Sequence, residues 1–229
     1  MRRSNPFATL DCFATLAMTM RLIPLLFLFL LTGCTVVEQP AGMISRWSTA
    51  WREVVTAEDR ERLRDWRTSF VNALAAARKA GHAADIAREG ALLDPDAALA
   101  IQPIPNGLYR CRVIKLGAKS EGMLDYVAYP AFSCRVRDDR NLQRLSKSGG
   151  SQRYVGLIFP GDAIREIFLG TLVLGDERRA SQYGEDDTRD VSGYIERIGP
   201  ARWRLVMPEP HFESQLDVME LVPSGEGVR

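Results

Sequence analysis

Few side chains in this chain stand at spacings that support chemistry. Cys111 and Cys134 each lie in a Cys-Arg-Val triplet, on the apolar parity of a strand-like stretch: Cys111 with Tyr109 and Val113, Cys134 with Phe132 and Val136. In an oxidising compartment such a pair forms a structural disulfide worth about 3 kcal/mol for a loop of this size. The alternative is two small core thiols, and the bridge is the expectation. No Cys-x-x-Cys spacing lowers a thiol pKa for redox work, and two cysteines are too few for the usual Cys-rich zinc site. His82 and His211 are the only histidines. They are far apart in sequence, no Gly-x-Ser-x-Gly elbow accompanies them, and both read as turn residues. Glu185, Asp186, Asp187 and Asp190, with Asp176 and Glu177 nearby, offer oxygen ligands to calcium but lack the EF-hand spacing. They read as a solvated loop whose acids pair with Arg178, Arg179 and Arg189. A glycosidase carboxylate pair can be drawn from the same acids, with nothing to single it out. Leu142–Tyr154 carries Arg144, Lys147, Arg153 and a Gly-Gly pair, yet no Gly-Lys-Ser follows at phosphate-loop spacing, so it reads as a hairpin or inter-strand loop. Any ligand surface is expected there and at Arg110 and Arg112. The expectation is therefore no catalytic residue, no metal, no cofactor and no enzyme.

The elements that must position these residues fall into two blocks. Thr56-Ala-Glu-Asp59 is a capping box with Asp in place of Glu. Behind it Leu63, Trp66, Phe70, Leu74 and Ala77 recur at spacings of three and four, opposite Arg60, Arg64, Arg67 and Arg78, and Gly81 is a natural stop. A short helix is expected around 83–87, and Asp94 caps a turn starting at Pro95. Gln102-Pro-Ile-Pro-Asn-Gly107 breaks any helix, and nearly everything beyond it reads as strand. Leu108–Leu116 alternates, Leu124–Val136 does so with a bend or break at Pro130, and Tyr154–Phe159 and Ile167–Leu174 are apolar on both faces. Val191–Ile198, Trp203–Met207 and Leu216–Val222 follow. About seven strands at short spacing predict an α+β fold: N-terminal helices on a C-terminal antiparallel β-barrel or strongly curved sheet, lipocalin-like in its meander. The helices are expected over the two apolar central strands. With Ala118–Gly122 as a simple hairpin turn, Leu116 faces Leu124 and Cys111 faces Tyr129. The disulfide then requires a break at Pro130 or contact across the barrel.

The N-terminal part says where the chain lives. Arg21 precedes an apolar run, Leu22 to Leu31, that ends in Leu31-Thr32-Gly33-Cys34. The run suits a signal-peptide core and is too short to span a bilayer. Leu-Thr-Gly-Cys resembles the lipobox of bacterial lipoproteins, which implies cleavage before Cys34 and lipidation of that cysteine. Residues 1–33 are then signal peptide, with translation starting at Met18 or Met20. Residues 34–45 form a lipidated tether, 46–100 a helical segment and 107–223 the β domain. Trp47 and Trp51 lie close to the lipid and read either as interface anchors or as core, and Trp66 as core. Thr35 after the cysteine, rather than Asp, resembles lipoproteins sent to the outer membrane. The expected location is the cell envelope facing the periplasm, outer membrane ahead of inner, with the membrane and envelope proteins as partners.

The whole chain carries 30 basic and 29 acidic residues, and removal of 1–33 leaves it near neutrality. A net-basic nucleic-acid footprint is absent, so no nucleic-acid partner is expected.

From Trp66 onward the chain resembles an uncharacterised bacterial envelope family, domain of unknown function 4893. The stretches concerned are Glu89-Gly-Ala-Leu-Leu-Asp-Pro-Asp96, Tyr109-Arg-Cys-Arg-Val-Ile-Lys-Leu116, Gly156-Leu-Ile-Phe-Pro160, Phe168-Leu-Gly-Thr-Leu-Val-Leu-Gly175 and Glu196-Arg-Ile-Gly-Pro200. The resemblance implies an exported, envelope-associated protein and supplies no activity or catalytic residue. The function expected is a non-enzymatic interaction or binding module, or else a carrier with a small apolar ligand inside the barrel.

Overall fold

The computed structural model describes residues 49–175 and 177–225. Cys34, its tether, the signal segment and Trp47 lie outside the described residues. Three helices, α1 (Trp51–Val54), α2 (Ala57–Lys79) and α3 (Ala83–Glu89), and a 3₁₀ turn (Gly90–Leu93) precede nine strands. These are β1 (Gly107–Ala118), β2 (Tyr126–Ala128), β3 (Phe132–Asp139), β4 (Leu142–Lys147), β5 (Gln152–Phe159), β6 (Arg165–Leu174), β7 (Asp190–Gly199), β8 (Arg202–Pro208) and β9 (Ser214–Pro223).

The caps of α2 are those its sequence specifies. The Thr56 hydroxyl accepts from the Asp59 N–H at 3.2 Å. At the other end Gly81, at φ 98°, lets its own N–H reach Arg78 O and the His82 N–H reach Ala77 O, closing the last turn. Leu63, Trp66, Phe70, Ala73, Leu74 and Ala77 form the buried stripe. The expected turn after Asp94 is present, with the Asp96 N–H on the Asp94 carboxylate at 2.9 Å.

The strands form one antiparallel meander, and β9 returns to pair with β1 from Tyr109↔Pro223 to Ala118↔Ser214. Eight strands thus close a barrel, and β2 is an additional strand on the upper half of β1. Of the two readings of Leu142–Tyr154 the hairpin holds: β4 turns at 148–151 into β5, and Leu142–Lys147 is a strand beyond those expected, its apolar signal weak because only Leu145 is fully buried. One sequence expectation needs correction: the register after β1 differs by two residues. Leu116 faces Tyr126, because the connection runs to Asp125, whose backbone and side chain bond the Gly117 and Ala118 N–H groups. The break at Pro130 is real: β2 ends at Ala128 and β3 begins at Phe132, one position out of phase. That shift sets Cys111 opposite Phe132 and Tyr109 opposite Cys134, a diagonal placement with the cysteine Cα atoms 5.9 Å apart, and Cys111 and Cys134 are bridged.

Helix placement also differs from expectation. α2 lies chiefly over β7, β8, β9 and β1, where Phe70, Ala73 and Leu74 meet Ile114, Leu116, Leu216 and Val218. On the apolar outer faces of β5 and β6, Phe159, Ile167 and Leu169 are covered by Val55 and Leu63, with α1 alongside.

Inside the barrel Tyr109, Cys111, Cys134, Tyr154, Phe168, Trp203, Met207 and Met219 interdigitate. Facing glycines make the room. A Cβ on Gly170 meets Val155 O at 2.5 Å, Gly156 Cα and the tip of the Phe168 ring each at 2.7 Å. The lower end is stoppered by residues 99–106. Ile104 is fully buried in the interior, the Trp203 indole donates to Gln102 O at 3.2 Å, and Gln143 donates to Ile104 O at 2.9 Å.

Gly170→Ala is expected to destabilise the fold by about 1–3 kcal/mol, the range for overpacking a filled core. The check is a lower urea midpoint at unchanged slope.

Candidate functional site

The barrel's upper end gathers Lys115 and Asp217, which point inward. Lys115 on β1 continues the parity of Tyr109, Cys111 and Val113; Asp217 on β9 continues that of Met219 and Leu221. Lys115 Nζ donates to Asp217 Oδ2 at 2.9 Å and pairs with Glu213 at 3.2 Å. The Tyr154 hydroxyl donates to the same oxygen at 2.8 Å, and the Ser214 hydroxyl donates to Oδ1. Burial alone would lower the Lys115 ammonium, but Asp217 and Glu213 outweigh it and hold it above the ordinary lysine value. Burial, then the Asp217 carboxylate, push the Tyr154 phenol well above 10. Lys147, at the rim, donates to Gln152 O at 2.6 Å and stands 4.1 Å from the Phe132 ring centre. Burial, then Lys115, push its ammonium down to about 8; the ring face works the other way, favouring the charged form.

The loop 209–213 lies over this cluster. Glu209 and Glu213 both adopt positive φ, at 46° and 69°, and hold the loop against Lys119: its Nζ pairs with Glu209 at 3.2 Å and its N–H bonds Glu213 O. Beneath lies a cavity of ≈ 10 Å³, lined by Lys115, Tyr154, Asp190, His211, Phe212 and Asp217. That is the size of a single water.

A second polar cluster joins α2 to the sheet. Asp59, fully buried, receives Arg62 Nη1 at 2.8 Å, the Ser192 hydroxyl at 2.9 Å and the Tyr183 hydroxyl at 2.6 Å. Arg62 continues to His211 Nε2 at 3.0 Å. A third cluster lies lower on the same wall. Arg204 and Glu196 are both fully buried and in contact at 2.7 Å, and Arg204 Nη1 donates to the carbonyls of Ala91, Leu92 and Asp94. This clamp holds the Glu89–Asp96 stretch on the barrel. Arg165 adds a bond to Glu196 at 2.6 Å and lies 4.4 Å from the Trp66 ring centre.

The residues singled out in sequence scatter. His82 bonds Asp85 at 2.8 Å and stacks on Tyr126, whereas His211 contacts Arg62. The acidic loop builds turns: Asp186 accepts from Thr188, Glu185 from the Gln182 N–H, and Glu177 pairs with Arg189 at 3.1 Å. Among the described residues no three metal-ligating side chains converge. Arg112 is bound between Glu89 and Glu220, whereas Arg110 is exposed. Trp66 is buried as expected, and Trp51 is half-buried beside Val55 and Leu63. Two open, polar hollows mark the surface: one of ≈ 400 Å³ between α2 and loop 209–213, with Glu58, Glu61, Arg62, Asp65 and His211, and one of ≈ 520 Å³ around Arg178, Arg179 and Arg189. Lys115, Asp217 and Arg204 were passed over in sequence. Their signal is parity: each is a charged residue at a covered strand position, beside Val113, Met219 and Val206 respectively on its own face.

Asp190 gives the site a measurable pH response. Its carboxylate is buried, accepts from the Gly184 N–H at 3.0 Å, and is pushed up to about 6 by burial, with Asp59 adding to the rise. Between its unfolded value of about 4 and its folded value the native state binds the extra proton, so stability falls as pH rises through that window. Asp190→Asn is expected to be more stable than wild type above pH 6 and to lose that advantage below about pH 4. Urea midpoints across this range read the difference.

No curated protein and no solved structure matches the chain. The family described as Domain of unknown function (DUF4893) matches residues 51–221, which spans α1 through β9, the polar clusters and the Arg204 clamp. The chain belongs to that family.

Proposed function

We propose that the protein is a lipid-anchored component of the bacterial cell envelope, facing the periplasm, whose folded domain is a non-enzymatic interaction module that recognises a partner on its outer surface. The anchor is read from Arg21 to Cys34. The observation that supports an external mode of recognition is the filled barrel. Tyr109, Phe168, Trp203, Met207 and Met219 occupy the interior, Ile104 stoppers one end, and the cavity under the other is ≈ 10 Å³. A carrier of small apolar molecules needs an enclosed volume of about 300 Å³ or more. Neither surface hollow supplies that, since both are open and lined by charged side chains. The polar clusters favour the same reading: the Ser214 hydroxyl and Lys115 ammonium are both engaged by Asp217.

The test is the intact mass of the natively expressed protein extracted from membranes, with and without reductant. The expected species is residues 34–229 with diacylglycerol and acyl groups on Cys34, lighter by two hydrogens before reduction. A soluble, unlipidated product overturns the anchor. Turnover of a substrate that is lost on Asp217→Asn while the fold persists overturns the non-enzymatic reading.

A further inference from the structure

The described helices leave one side of the barrel bare, and that side is mainly basic. On the lower half of β1 and on β3 and β4 the outward residues include Leu108, Arg110, Ser133, Arg135, Arg137, Asp139, Arg144 and Ser146, placed together by the pairs Arg110↔Ser133, Arg135↔Ser146 and Arg137↔Arg144. Arg110, Arg135 and Arg137 are exposed, and among the described residues no acidic side chain engages them. Residues 132–147 hold five cations against Asp138 and Asp139 alone, and Asp139 is taken by Arg144 at 2.6 Å. Arg137 directly opposite Arg144 is a like-charge cross-strand pair, which costs stability. A fold that uses carboxylates to engage Arg62, Arg112, Arg165, Arg202 and Arg204 elsewhere leaves these three unmatched.

An apolar lip borders the same flank: Tyr129, Pro130 and Ala131, at the break between β2 and β3, are exposed, Tyr129 by 41%. Guanidinium groups bind phosphate oxygens in bidentate fashion. Exposed aliphatic and aromatic side chains beside cations are the composition of a surface that sits at the headgroup level of a bilayer. An acidic protein would match the arginines but not the lip. We propose that this face of β1, β3 and β4, which no described helix covers, docks on the anionic headgroups of a phospholipid membrane through Arg110, Arg135 and Arg137, with Tyr129 and Pro130 at its margin. The proposal rests on the anchored reading only for proximity: the 14 residues between Cys34 and Thr49 reach at most about 50 Å when extended, which keeps the face within range of the bilayer.

The test places the natively processed full chain in vesicles of phosphatidylglycerol with phosphatidylethanolamine, or of phosphatidylcholine alone, and follows hydrogen exchange over 132–147. The expected result is slowed exchange on the anionic vesicles only, abolished in 0.5 M salt and in Arg110→Gln/Arg135→Gln/Arg137→Gln. That variant is expected to unfold no earlier than wild type, since one like-charge pair is relieved. Equal exchange on both vesicles overturns the proposal. So does an arginine-dependent crosslink in cells to an acidic protein without protection on vesicles, which assigns the face to that partner instead. If the native protein carries no lipid, the anchor fails on its own, and the docking face is read separately by sedimenting the soluble chain with the same vesicles. The triple variant is then expected to bind about 100-fold more weakly, at roughly fivefold per arginine, and unchanged binding overturns the proposal.

Discussion

The ladder between β1 and β9 is the constraint on which the rest of the structure depends. It runs the length of both strands, from Tyr109↔Pro223 to Ala118↔Ser214, and converts an open meander with two exposed edges into a closed barrel. Two features of the domain are built across this seam. Inside, it brings Lys115 beside Asp217, a buried pair that neither strand could hold alone. Outside, Ile114 and Leu116 of one strand and Leu216 and Val218 of the other make the platform on which Phe70, Ala73 and Leu74 of α2 rest. On the far flank of β1 the Cys111–Cys134 bridge ties β3 to the same strand, so β1 is fixed from both sides.

Closure creates a volume problem, which the chain solves with glycine. Phe168 points inward, and the barrel accepts its ring because Gly156 and Gly170 face each other at the contact and leave no Cβ there. Two of the stretches that carry the family resemblance, Gly156–Pro160 and Phe168–Gly175, contain this arrangement. A third, Glu89–Asp96, is the segment whose carbonyls Arg204 grips from the buried wall of β8. These stretches are explained by packing and by the satisfaction of buried polar groups. A buried Arg–Glu pair adds little net stability by itself, but it fixes one position for a segment with few apolar anchors.

The fold was legible because its signals are local. The capping box at Thr56, the three-and-four spacing from Leu63 to Ala77, and the strand alternation from Leu108 onward each determine an element from its own residues. The pairing of Cys111 with Cys134 was legible too, and of the two routes to it, a break at Pro130 or contact across the barrel, the structure takes the first. What escaped was whatever depends on the partner strand. β4 was missed because Leu142–Lys147 has one fully buried residue and draws its place from β3 and β5. The register beyond β1 slipped by two because the Asp125 side chain, bonding the Ala118 N–H, sets the loop length. The polar clusters were missed because a lysine or aspartate in a strand reads as outward-facing until a facing strand supplies its counter-charge.

The charge distribution follows from the same economy. The chain is near neutral, so cations buried or braced on the helical side must be matched by acids there. Asp59 serves Arg62, Glu89 and Glu220 serve Arg112, and Glu196 serves both Arg165 and Arg204, while Asp217 serves Lys115. These acids stand where they do because burial makes an unmatched charge expensive. The bare wall of β1, β3 and β4 has no such requirement, since water screens its arginines. A neutral sequence can therefore fold into a domain with one strongly basic side, a polarity invisible in the net charge. It arises when α2 and α3 settle over β7, β8, β9 and the upper half of β1 and leave the opposite wall uncovered.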